Sequence, residues 1–164
     1  MLDVVFQWLH DTALAEAVRS SALLFPWFES VHVLAIALVV GSIAAVDLRL
    51  LGLVARSRPI TQMIHDILPL TWTAFAVAAL TGLTLFASNA IAYAHNGPMR
   101  LKMLLLVIAG INMLVFHFVT YRSVGVWDSA PRTPISVRLA GGASLVLWTG
   151  VVAFGRWIGF TVGS

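Results

Sequence analysis

Residues 30–46 read SVHVLAIALVVGSIAAV, seventeen uncharged positions set between Glu29 and Asp47. A helix needs about 20 residues to cross the roughly 30 Å hydrocarbon layer of a bilayer, a length this run reaches once its polar flanks extend to the interface. Three further runs have the same form. Asp66 and Arg100 enclose 33 uncharged residues, Lys102 and Arg122 enclose 19, and Arg138 and Arg156 enclose 17. None sustains the two-residue alternation of a strand, and backbone polar groups cannot stay unpaired in lipid, so helices are predicted. The fold class expected is all-α, an integral membrane four-helix bundle.

Composition points the same way. Of 164 residues, 60% are hydrophobic and 10% charged, with a mean hydropathy of +0.94. A soluble domain carries about 25% charged residues. A soluble enzyme, a nucleic-acid module and a disordered regulator are therefore excluded. The pI near 10.2 reflects a net charge of +3 scattered between apolar runs, so no nucleic-acid partner follows from it. With no cysteine, disulfides and thiolate metal sites are excluded. The chain reads as a single membrane domain over 1–164, with an amphipathic interfacial helix over 1–24 and spans at about 28–54, 68–94, 100–122 and 136–160. Pro26 breaks the chain just before the first span. The six tryptophans fall mostly near span ends, as an aromatic belt does.

Four spans put both termini on one side. Loops one and three hold Arg49, Arg56, Arg58, Arg122, Arg132 and Arg138; the opposite side holds Arg19, Arg100, Lys102 and Arg156. The excess predicts loops one and three in the cytoplasm, with both termini periplasmic.

Ionisable groups in or beside spans mark functional sites. His32 follows Glu29 by one helical turn, so the carboxylate can accept a proton from the imidazole, as a carboxylate does behind a metal-ligating histidine. The same spacing also suits an interfacial pair that satisfies two polar groups. His117 lies deep in the third run, where a metal-ligand role competes with a hydrogen bond to a neighbouring helix. His32 and His117 come out about 18 Å apart in depth, too far to hold one metal between them. His95 falls on the His32 side and His65 on the His117 side. Two histidines at each face is the pattern of a two-haem b-type cytochrome, but His65 and His95 fall in loop or helix-end segments, so one haem at the outer end held by His32, with Met99 or Met103 as a substitute partner, is preferred. Lys102 suits a haem propionate or simple interfacial anchoring. Asp47 is expected to pair with Arg138 or Arg122, and Arg49 to snorkel outward. In the fourth run Gly141, Gly142, Gly150 and Gly155 allow close helix approach.

The segments VRSSALLFPWFESVH, DLRLLG, LPLTWTAFAVAALTGLTLF, RLKMLLLVIAGINMLVFH and SLVLWTGVVAFGRWI together resemble an uncharacterised family of four-span bacterial inner-membrane proteins. The layout is more distantly similar to the copper-resistance protein D family and to small haem-binding protoporphyrinogen oxidases. Those families also place a histidine early in the first span, and in the oxidases a lysine opens a later span that carries a histidine. Lys102 and His117 fill those places with a spacing about one turn longer. The resemblance implies haem or copper handling through His32.

The expected function is a b-type haem (heme b) protein of the bacterial inner membrane, passing electrons between quinone or a redox partner protein and another carrier. Copper handling is the alternative, as is a structural accessory subunit without cofactor. Homo-oligomerisation is left open.

Overall fold

The computed structural model describes residues 2–54, 58–128 and 133–162, so Arg56 and Arg132 lie outside the described residues. Its helices are α1 (Leu2–His10), α2 (Ala13–Ser20), α3 (Leu24–Leu50), α4 (Ile60–Ser88), α5 (Ala90–His95), α6 (Gly97–Val115), α7 (Val124–Trp127) and α8 (Ile135–Thr161). No strand occurs among the described residues, and the fold is all-α. Four segments, α3, α4, Gly97–Trp127 and α8, are long and apolar enough to cross a membrane.

α3 packs on α4 and on α8, and α8 packs on α6, while α4 and α6 are not a packed pair. The order across the bundle is therefore α4, α3, α8, α6. Its outer surface is apolar: Leu34, Leu80, Val107, Val119 and Val146 are 58–74% exposed. In water such a coat would be a large exposed apolar patch; against acyl chains it is solvated.

Local chemistry sets the helix ends. α3 stops in a Schellman turn, in which Gly52 takes φ +74°, its N–H donates to the Arg49 carbonyl and the Leu53 N–H to that of Leu48. The Thr133 hydroxyl then donates to the Leu50 carbonyl at 2.8 Å, satisfying another orphan acceptor. α4 follows Pro59, and its first turn is capped from a distance: Asp128 accepts from the Thr61 N–H at 2.9 Å and its hydroxyl at 2.6 Å. Asn96 caps α6 by accepting from the Met99 N–H, and its amide donates to Thr161 at the end of α8.

Several expected boundaries shift. The segment expected as one helix over 1–24 divides at Asp11 and Thr12, with the Thr12 hydroxyl capping α2. Pro26 lies inside the first turn of α3, where its missing N–H costs no hydrogen bond. α4 starts at Ile60, because helix continues through exposed His65 and Asp66, and it ends at Ser88 where Asn89 leaves helical backbone geometry. The third span continues past residue 115 through a π-turn (Phe116–Thr120) and a 3-10 turn (Tyr121–Ser123).

The tightest packing lies at the end of the bundle where α3 finishes, hereafter the Asp47 end. There Leu50, Ile60, Trp127 and Val137 form a buried cluster. Arg49 lies within the same end, 2% exposed. It donates to the Arg58 carbonyl through Nε and Nη2 at 3.1 and 3.0 Å, and to the Asp128 carbonyl at 3.4 Å. The expectation that Arg49 snorkels outward is therefore corrected: the two connecting loops present carbonyls inward, and the guanidinium fork spans them. Asp47, 5% exposed, hydrogen-bonds Ser144 of α8 and leaves Oδ2 without a partner among the described residues. It forms no ion pair with Arg138 or Arg122, because Gly141 brings the α8 backbone against α3 at this point. A Cβ on Gly141 would lie 3.1 Å from the Asp47 carbonyl oxygen.

Candidate functional site

The opposite end carries His32, one turn past Pro26 and Phe28 on α3. Its Nδ1 lies 3.0 Å from the Thr81 hydroxyl on α4. That hydroxyl is already committed as a donor, to the Val77 carbonyl at 2.7 Å, a pattern open to a threonine within a helix. When the hydroxyl donates to that carbonyl its oxygen accepts from His32 Nδ1, the arrangement that would leave the Nε2 lone pair available.

Gly82 makes this placement possible. A Cβ there would lie 2.7 Å from His32 Cε1 and 3.3 Å from Nδ1, inside contact distance. The imidazole lies on bare helix backbone. Beside it, Trp27, Phe28, Val31 and Thr81 line an apolar cleft of about 150 Å³.

Lys102 enters from α6. Its alkyl stem crosses α8 at Gly155, with Nζ 3.6 Å from where a Cβ would stand, and its charge reaches the His32 ring. Lys102 is partly buried and has no hydrogen bond or ion pair among the described residues. An inward ammonium without an anion is costly in a bundle and is the mark of a ligand site.

The remaining candidates fall elsewhere. Glu29 is exposed and does not bond His32; Thr81 takes the orienting role expected of it. Instead Glu29 bears on Tyr93 of α5, whose phenol is pushed above its ordinary range first by burial and then by the carboxylate. His95 is at the His32 end, but both its nitrogens are engaged, with Asp3 at 3.4 Å and Arg100 at 3.5 Å. His65 is 90% exposed and pairs with Asp66. His117 is exposed in the π-turn, its ring stacked on Tyr121 at 5.7 Å. Among the described residues no three His, Asp or Glu side chains cluster as a metal site would require.

The N-terminal helices cover this end. Phe6 meets Phe86 edge-on at 6.0 Å, Phe86 stacks on Tyr93, and Arg19 donates to the Ser88 carbonyl at 3.1 Å. Thr81 and Gly82 escaped the sequence reading. Their only signal is a threonine–glycine pair inside an apolar run, shared by many helix-packing positions.

Over residues 5–161 the chain matches a family described as of unknown function, DUF6644, and it belongs to that family. No curated protein matches it, and no solved structure does.

Proposed function

For this member of DUF6644 we propose the binding of one b-type haem at the His32 end of the bundle, in an electron-transfer role in the bacterial inner membrane. The observation that carries the reading is the placement of His32 Nδ1 3.0 Å from the Thr81 hydroxyl, itself 2.7 Å from the Val77 carbonyl, an arrangement that would leave Nε2 for a ligand. Haem brings four nitrogen ligands of its own and asks the protein for one or two more. A copper ion would have to find all its ligands in the chain, the set expected being His32, Glu29 and the outer methionines, and Glu29 is exposed and turned to Tyr93 rather than to His32. That difference favours haem over copper.

The donor set also suits the rest of the molecule. His32 would hold the haem iron, its ring oriented by the Thr81 hydroxyl at 3.0 Å. Lys102, without an anion among the described residues, would pair with a propionate. His95, engaged with Asp3 and Arg100, is not a second ligand, and His65 and His117 are outside this site. Bound haem supplies a one-electron couple. The residues described here hold and orient it, and the apolar walls limit water. Loops one and three are assigned to the cytoplasm and both termini to the periplasm, from the arginine excess. Quinone or a redox protein is the partner class.

The test is an absorption spectrum of protein purified from haem-replete cells, with a pyridine haemochrome assay and metal analysis. The expected result is a Soret band and about one haem per chain, lost in His32→Ala and weakened in Lys102→Ala. A folded protein without haem refutes the reading, and copper bound in its place supports the alternative.

A further inference from the structure

A second feature lies at the Asp47 end, on the opposite half of the bundle from His32. An apolar trough of about 690 Å³ runs along α8, lined by Leu51 at the end of α3, Ile108 of α6, and Gly142 and Leu147 of α8, with the exposed Val146 on its edge and Arg138 also in its lining. The trough exists because Gly142 leaves a gap in the α8 ridge. A Cβ there would meet only Leu51 Cδ2, at 3.8 Å.

Its dimensions match one leaflet. From Arg138 to Leu147 the helix rises about 13.5 Å at 1.5 Å per residue, close to half of the roughly 30 Å hydrocarbon thickness. Arg138 stands in the first turn of α8, which begins at Ile135, at the depth of the headgroup phosphates. It is exposed, and its guanidinium has no hydrogen bond or ion pair among the described residues. The acid that might have neutralised it, Asp47, is buried on Ser144 instead. The trough therefore pairs an apolar channel one acyl chain deep with a single uncompensated guanidinium at headgroup level.

We propose that this trough is a binding site for an acidic phospholipid, one acyl chain lying along Gly142 and Val146 and the phosphate held by Arg138. Guanidinium matches phosphate geometry with paired N–H donors. An anionic headgroup is preferred because no acidic group among the described residues lines the trough to balance the charge. The site does not depend on His32 or on haem.

The experiment uses the full chain in mild detergent. Native mass spectrometry and extraction measure retained lipid, and thermal unfolding is followed with phosphatidylglycerol or with phosphatidylcholine of the same acyl chains. About one phosphatidylglycerol per chain is expected to be retained. Its preference over phosphatidylcholine should be about fivefold, as one arginine near a headgroup supplies. Arg138→Ala should abolish the preference and keep some retention, whereas Arg138→Lys should keep part of both. Gly142→Leu, which the open space around its Cβ allows to fold, should fill the trough and abolish retention of both lipids. Equal retention of the two lipids by the unaltered chain overturns the proposal. So does unchanged retention in both Arg138→Ala and Gly142→Leu, an equal thermal shift with inorganic phosphate alone, or a dimer whose dissociation tracks the Gly142 substitution.

Discussion

Replacing Gly82 with alanine is the sharpest test of how His32 is held. The added Cβ would lie 2.7 Å from Cε1 of the imidazole, where carbon atoms prefer about 3.5–4.0 Å. The ring has to recede by about 1 Å, carrying Nδ1 from 3.0 Å beyond hydrogen-bond range of Thr81. Such a bond is worth about 0.5–1.5 kcal/mol net. Alanine also offers a helix interior about 1 kcal/mol over glycine, so the stability of Gly82→Ala by itself should change little. The coupling is the informative quantity. In the native background Thr81→Val should cost about 1 kcal/mol, because it strands the Nδ1–H. In the Gly82→Ala background it should cost almost nothing, since the bond is already broken. The resulting interaction energy of about 1 kcal/mol corresponds to about 2–4 °C in a double-mutant cycle of melting temperatures. Imidazole ¹⁵N spectra should show the Nδ1–H tautomer in the native chain only. Equal costs of Thr81→Val in both backgrounds, or an Nε2–H tautomer in the native chain, would refute the relay.

Two further outcomes follow from the Asp47 end. Arg49→Ala should destabilise the protein by about 3 kcal/mol, because the Arg58 and Asp128 carbonyls lose charged donors. Arg49→Lys should recover only part of that, having no fork; thermal unfolding decides, and a loss below about 1 kcal/mol for Arg49→Ala contradicts the bridging role. Burial acts to raise the Asp128 carboxyl, but hydrogen bonds from the Thr61 hydroxyl, the Thr61 and Ile60 N–H groups and the Arg49 charge together hold it below its ordinary 3.8. A depressed folded-state pKa means the contribution is fully present above the unfolded value and lost as pH falls through the folded one. The difference in melting temperature between the native chain and Asp128→Asn should thus stay constant at neutral pH and shrink only below about pH 4. A difference that already shrinks near pH 6 would point to another group.

The four spans were legible because charged residues interrupt the apolar runs and little else does. The helix ends were less so. His65 and Asp66 were read as the boundary of a span, yet helix formation needs only local backbone hydrogen bonds and continues past the apolar limit to Ile60. Angular position on a helix was also insufficient at Asp47 and Arg49. The 200° between them places the two side chains on different faces, but nothing local says that one face meets Ser144 and the other meets loop carbonyls. At the candidate site, His32 and Lys102 were identifiable as ionisable groups among apolar neighbours. Glu29 was chosen as the orienting partner because it is near in sequence, whereas Thr81 is 49 residues away.

Membrane-compatible helices, their number and their order were readable from the chain alone, because each helix satisfies its own backbone and its apolar length is a local property. The Thr81 partner of His32, the course of Lys102 across Gly155, the buried fork of Arg49 and the trough beside Arg138 were decided only by packing. Each depends on which faces of distant helices meet and how closely their glycines let them approach, and neither is encoded within any one span.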